Sequence, residues 1–407
     1  MTKASDVEKF YAGATLIVAL AFSPSLAAPV LPEISSYQTE ADGLALTLGG
    51  AAQGTLSSAF QPDHHGLSQT LPAASATLLA DLERDTDGGM ILSLKSAFEL
   101  YHDRLDSDNY GGDLVQKVYG QIQTGLGSLE VGMNDGVAYT LAVTGPVVDS
   151  EADLDNPNAT FFRNPDGGAV STVFSLNSAV ESTLNYAKFS YLTPKLFGVQ
   201  IGVSYTPSAA KYVLPFADTA PRRAGRQENF WETAVRYDDD FGPFTVSLSG
   251  GAAFAHADTK TKTTGHEGLT DWSLGGQIAY PLDDATTLSL GGAYRRSNSY
   301  AFDIQNILSG GDTRSAHLSG KLERGAWSFG VEYGDGNADG GGDAPTLGLK
   351  GYETALGYRF NNNWLASVGW QQLDYSRQSG VFYNGAGRME LDALFLHLHF
   401  DTAGATN

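Results

Sequence analysis

The groups this 407-residue sequence offers for chemistry are charges rather than nucleophiles. The stretch 135–183, which lacks strand periodicity, carries Asp149, Glu151, Asp153, Asp155 and Asp166. Basic side chains are spread along the rest of the chain. Lys95 and Lys117 fall on polar faces by alternation, Arg84 sits near a turn, and Arg236, Arg295, Lys321 and Arg359 follow further along. Like charges ringing an aqueous passage raise the local concentration of counter-ions, while the aperture excludes large solutes. The acidic residues read equally well as solubilising loop charge.

Other chemistry finds little support. His64-His65 lacks the acidic or Cys partners of a metal site. The run DGNADGGGDAP has the acid-and-glycine composition of some calcium loops, but not the spacing or terminal Glu of an EF-hand. Asn158-Ala159-Thr160 is a chance match to a glycosylation sequon. G-x-S-x-G, a Walker loop, H-E-x-x-H and a dinucleotide fingerprint are all missing. With 0 cysteines, disulfide frameworks and thiol nucleophiles fall away together. No catalytic residue, metal or other cofactor is expected.

A net charge of -21 argues against nucleic acid as a partner, because phosphate binding needs a basic face. Lys3 and Lys9 precede the apolar run YAGATLIVALAF, and Ser25-Leu26-Ala27 follows, so residues 1–27 read as a cleaved signal peptide despite Asp6 and Glu8. No later segment reaches the ~18 apolar residues of a spanning helix. Mean hydropathy is -0.18, but alternating strands average lipid-facing and water-facing residues, so this number does not exclude a membrane barrel.

The elements that must position the charges are strands. After a polar lead-in, 28–43, period-two segments are expected at 44–58, 75–85, 90–102, 114–124, 127–134, 184–193, 197–206 and 229–238. They continue at 243–256, 269–280, 286–297, 313–323, 325–334, 348–360, 363–376 and 388–400, about sixteen in all. In NYAKFSYLTPKLFGVQIGVSY, Val199, Ile201, Val203 and Tyr205 alternate with Gln200, Gly202 and Ser204, as in a hairpin with one apolar face. Connectors after even-numbered segments are short turns. Those after odd-numbered ones are long and rich in Gly, Asp, Asn and Ser. That rhythm fits an all-β, up-and-down transmembrane barrel spanning 44–400, with tight turns at one rim and loops at the other. Such a sheet must close, since unpaired edge amides in hydrocarbon are costly. A barrel this wide encloses a channel. Aromatics beside turns, such as Tyr280, Tyr358 and Trp364, suit interfacial girdles.

VYGQIQTGLGSLEVGMNDG, the very long connection after it and the NYAKFSYLTPKLFGVQIGVSY hairpin together resemble the general bacterial porins of Gram-negative outer membranes. The likeness is closest to those of alphaproteobacteria and covers nearly the whole chain after the leader. It implies an outer-membrane channel for small hydrophilic solutes and ions, assembled as a homotrimer. It also implies that the long loop, 135–183, folds into the barrel and narrows it. There Asp149, Glu151, Asp153, Asp155 and Asp166 would face the basic wall residues across a constriction. Porins typically end on an aromatic that the assembly machinery reads. Phe400 on LDALFLHLHF matches that residue, but the tail 401–407 follows it, which departs from the pattern.

The acidic excess predicts mild cation selectivity, with a substrate-specific channel for sugars or carboxylates as the main rival. An adhesion barrel, and an enzyme carrying a Ser-His or Asp-His pair near its outer rim, are more distant readings. Outward Gly276 and Ala252 would allow flat subunit contact.

Overall fold

The computed structural model describes residues 31–402 except 61–67, 87, 103–114, 156–160, 163–175, 209–226, 258–267, 301–310, 340–345, 379 and 383–384. The leader, His64-His65, the sequon Asn158-Ala159-Thr160 and Asp166 therefore lie outside the described residues. The strands are β1 (Tyr37–Ala41), β2 (Leu44–Phe60), β3 (Thr70–Asp85), β4 (Ile91–His102), β5 (Val115–Thr124) and β6 (Gly127–Met133). Next come β7 (Ala187–Leu192), β8 (Val199–Ser208), β9 (Gln227–Phe241), β10 (Phe244–Ala257), β11 (Thr270–Asp283) and β12 (Thr286–Ser297). The last are β13 (Asp312–Arg324), β14 (Trp327–Asp339), β15 (Leu347–Arg359), β16 (Trp364–Arg377) and β17 (Arg388–Asp401).

Each strand from β2 to β17 pairs antiparallel with its chain neighbours, and β17 pairs back onto β2, from Asp392↔Phe60 to Asp401↔Ala51. The ring is closed, so the wall has no free edge to leave unpaired amides in lipid.

Alternation fixes which side each residue faces. On β13, Thr313, Ser315, His317 and Ser319 are buried, while Leu318 between them is 62% exposed. Leu248, Leu274 and Leu290 stand outward on β10, β11 and β12 in the same way. Phe189, Tyr191, Ile201 and Val203 do so on the hairpin, with Ser190, Gly202 and Ser204 buried behind them. A register slip of one residue would turn every leucine inward, so this pattern fixes the pairing.

Aromatic pairs mark both rims. Phe244–Tyr280, Trp327–Tyr358 and Trp364–Phe400 stand at the short-turn rim, with ring centroids 4.9, 4.6 and 4.7 Å apart. Tyr205–Trp231, Trp272–Tyr294 and Tyr333–Tyr352 stand toward the other rim. On β11, ~27 Å of strand separates Trp272 from Tyr280 at ~3.4 Å per residue. With a tilt of ~40° that is ~20 Å of height, close to the ~25 Å apolar band of such barrels.

The polar lead-in holds a strand that the sequence pattern did not show. β1 turns at Asp42 (φ 54°) and Gly43 (φ 75°) and pairs with Leu44–Leu48 of β2. Two consecutive positive φ values suit a tight hairpin. β1 thus continues the line of β17 along the same edge of β2. The side chain of Asn363 locks this seam by accepting from the Ile34 amide (2.9 Å) and donating to the carbonyls of Ile34 (3.0 Å) and Asp401 (2.6 Å).

Candidate functional site

The long connection between β6 and β7 begins at Asn134 and carries, among its described residues, the short helix α1 (Val137–Thr140). Its contacts follow the inward face of the wall strand by strand. Val137 stands over Gly202 of β8, where an added Cβ would fall 2.8 Å from Val137 Cβ. The Val143 amide donates to Ser249 Oγ of β10 (2.8 Å), and the Val143 carbonyl lies against Gly275 of β11, leaving no room for a side chain there.

Beyond this point Thr144 O and Glu332 Oε2 flank the His317 ring, 3.0 Å from Nδ1 and 3.1 Å from Nε2. Two acceptors on one imidazole suit a ring carrying both protons. Glu332 also accepts from the Leu154 amide (3.3 Å). Further round the wall, Asp149 Oδ2 accepts from Ser367 Oγ of β16 (2.6 Å) and meets His397 Nδ1 of β17 (2.6 Å). The return leg passes β13, where Ser315 Oγ donates to Leu176 O (2.7 Å). Ser182 Oγ then donates to Asp271 of β11 (2.5 Å), and Thr183 Oγ1 to Glu232 of β9 (2.7 Å).

An apolar cluster adds to these polar bonds. Leu154, Phe162 and Leu176 of the connection bury against Leu347, Leu349, Leu373, Tyr375 and Leu391 of β15–β17. Phe162 meets Tyr375 edge-on at 5.1 Å. Inward leucines on the loop-side half of these strands break the polar-in rule of a water-filled barrel, and they do so where the connection covers them.

The acidic residues expected at a constriction divide into two groups. Asp149 and Asp153 are buried and serve as anchors; the Asp153 carbonyl accepts from Gln371 Nε2 (3.3 Å). Burial alone would raise the Asp149 carboxyl, but the bonds from His397 and Ser367 outweigh it and hold the group below its ordinary value. Glu151 is exposed. Asp155 is pushed up to about 6 by burial, with His317 pulling it down and Glu332 pushing it up. Burial likewise raises Glu181, against the pull of Arg295.

The basic residues divide further. Arg84 needs correcting. It shares the parity of Leu82 and pairs across to Leu44 and Leu92, so it lies on the outward face, exposed at the short-turn rim. Its nearness to a turn gave no information about side. Arg295 faces inward but is fully buried, in a two-point bond to Asp271 (3.1 and 2.7 Å) with Glu181 at 3.8 Å, so it anchors the connection. Arg236 and Lys321 face inward near the short-turn rim, beside Asp238 (3.0 Å) and Glu323 (3.3 Å), and Arg359 is exposed at that rim. Lys95 and Lys117 stand on the β4–β5 wall, paired with Asp81 (3.5 Å) and Asp135 (2.5 Å). Each of these inward cations except Arg359 is thus matched by a carboxylate within 4 Å.

Glu151 and the β2–β4 wall enclose an open space of about 260 Å³. Among the described residues its lining includes Gln53, Ser75, Thr77, Glu99, Gln116 and His399, and no Lys or Arg. Glu99 and the anchors Glu232, Asp271, Glu332 and His317 were not singled out from the sequence. Alternation places all of them inward, but it does not show which inward residues the connection covers.

A closed antiparallel ring of sixteen strands, leucine-faced outside and polar inside, with aromatic belts at both rims, is a transmembrane β-barrel of the outer-membrane type. The chain belongs to the Gram-negative porin family, which matches residues 14–381. No curated protein sequence matches it significantly. Among solved structures it is similar to the outer membrane channel DcaP of Acinetobacter baumannii (12% identity, 90% of this chain and 100% of that one, TM-score 0.56). It is also similar to the trimer form of OmpT, an outer membrane protein of Vibrio cholerae (12%, 88% and 100%, TM-score 0.55). A third is an anion-selective porin from Comamonas acidovorans (14%, 88% and 99%, TM-score 0.54). At these identities the structural likeness concerns the fold. Family and fold together define an outer-membrane channel rather than an enzyme.

Proposed function

We propose that the protein is a porin through which small hydrophilic solutes and ions diffuse passively, with a preference for cations, and that the connection 134–186 forms the constriction. The observation that carries this reading is the space between Glu151 and the β2–β4 wall. Among the described residues, two carboxylates, two amides, two hydroxyls and an imidazole line it, without Lys or Arg. Carboxylates beside a narrow aqueous path concentrate cations. The bonds from Val143, Asp149, Leu154 and Ser182 to inward wall residues support a connection held inside the lumen. Assembly as a homotrimer is part of the proposal. Support comes from small outward residues on neighbouring strands, Gly50, Ala52 and Gly54 on β2 beside Ala74 and Ala76 on β3, where a second barrel could pack closely.

The experiment is single-channel recording in a planar bilayer with a salt gradient. Stepwise ohmic openings with a cation-selective reversal potential are expected, and Glu99→Gln with Glu151→Gln should move that potential toward zero. A folded, inserted barrel without conductance would overturn the channel reading. An anion-selective potential would overturn the charge assignment.

A further inference from the structure

We propose that Lys188 is the positioning residue that fixes the root of the connection 134–186, and with it the width of the pore; the pore half of the inference rests on the constriction reading above. Lys188 lies on β7 with only 3% of its surface exposed. Its ammonium donates to the carbonyls of Asn134, Leu184 (2.5 Å) and Thr183 (3.4 Å). Asn134 is the first residue after β6, and Thr183 and Leu184 come just before β7. One side chain therefore ties the entry of the connection to its exit. An ammonium has three donors and here meets three acceptors. The Thr183 carbonyl also accepts from the Tyr186 amide (3.1 Å), whereas those of Asn134 and Leu184 belong to irregular backbone outside the strands, where a side-chain donor satisfies them.

Two further observations mark this root as built for the purpose. Leu184 has φ 37°, a left-handed conformation that a branched side chain resists unless its surroundings hold it. Glu232 of β9, 2% exposed, is the second buried polar group at this root. It accepts from Thr183 Oγ1 (2.7 Å) at the exit and Ser204 Oγ (3.0 Å) on β8. At the entry it lies so close to Gly136 that a Cβ there would fall 1.8 Å from Oε2. Ammonium and carboxylate thus each hold both ends. Removing either leaves the buried backbone and hydroxyl groups that it bonds without that partner, which is unfavourable.

The test uses the full-length folded barrel and exploits its lack of cysteine. A Cβ on residue 251 would lie 3.2 Å from Ala138 Cβ. That is a few tenths inside the ~3.5–4.5 Å span of disulfides, so A138C/G251C reports whether the root sits against β10. Lys188→Met in this background should lower the disulfide yield severalfold under mild oxidation. In the cysteine-free background it should add sublevels and open-channel noise to the conductance. Lys188→Arg should keep most of the yield, and oxidised A138C/G251C should suppress the sublevels of Lys188→Met. Wild-type disulfide yield and wild-type conductance in a folded Lys188→Met barrel would overturn the proposal. If that variant does not assemble, Glu232→Gln is judged by the same two readouts. A wild-type barrel that conducts nothing would overturn the pore reading, while the disulfide yield would still decide the role of Lys188 at the root.

Discussion

Asp149 Oδ2 lies 2.6 Å from His397 Nδ1 and 2.6 Å from Ser367 Oγ, so one carboxylate oxygen joins the long connection to two neighbouring wall strands. Hydrogen bonds to a charged group contribute about 1.5–3 kcal/mol each. Asp149→Asn keeps the shape and removes the charge. Amide hydrogen exchange over 148–155 should then quicken by about tenfold or more, as local opening becomes easier. Unchanged exchange would mean that the apolar cluster around Leu154 and Phe162 holds this segment alone.

Val148 offers a geometric check on the same segment. A Cβ on residue 330 would stand 3.8 Å from Val148 Cβ, matching the mean separation of about 3.8 Å in disulfides. V148C/G330C should therefore oxidise readily in the folded barrel and hold the connection against β14. Because this only fixes a contact already present, conductance should be the same before and after reduction. Failure to crosslink in a folded barrel would place Val148 away from the wall.

Asp155 predicts how the channel responds to acid. Its carboxyl is raised from the ordinary 3.8 to about 6, chiefly by burial, so the folded chain holds a proton that the unfolded chain has released between those values. Ionising it above pH 6 disfavours the folded connection, and acidification through 6 relieves this cost while removing one negative charge. Cation preference should therefore fall as pH drops from 7 to 5, and Asp155→Asn should flatten that change. Asp149 behaves in the opposite sense. Its value is lowered, so its stabilising charge is present above about 3.8 and lost only in stronger acid. The Asp149 clasp should survive at pH 5, which exchange over 148–155 can check. A reversal potential constant from pH 7 to 5 would rule out Asp155 as a charge felt by the pore.

Much of this architecture was legible because the barrel repeats one physical rule. Lipid outside and water inside impose period two on every strand, so β12 was expected and found at 286–297, and Leu318 and Leu274 could be placed outward. The short strand β1 escaped because its pairing needs no apolar face. All of its residues are exposed, and only the Asp42-Gly43 turn betrays it. The site was less legible. Parity tells which side of the wall Arg295 faces, but not that a distant segment will cover it and bond Glu181 and Ser182 to the same pair. A signal did exist in the inward glycines. Gly202, Gly275 and Gly330 stand where strands would favour larger residues, and each lies under backbone or a branched side chain of the connection.

The C-terminal seam yields the remaining prediction. Phe400 faces outward on β17, and its ring lies 4.7 Å from Trp364, whose Nε1 donates to Pro32 O (3.1 Å). Strand pairing ends one residue later at Asp401, after which Thr402 donates to Gly50 O and accepts from Gly50 N, both at 3.0 Å. β1 occupies the edge of β2 beyond that point, pairing with Leu44–Leu48. Phe400→Ala removes an aromatic pair worth about 0.5–1.5 kcal/mol beyond its buried area, at the place where both chain ends close the ring. It should lower the yield of folded, heat-modifiable barrel and its melting temperature, with Phe400→Trp restoring most of both. Deleting 403–407 should leave both unchanged, because the seam is complete at Thr402. Equal loss from the deletion would show that the seam is not complete at Thr402 and that the tail also secures the last strand.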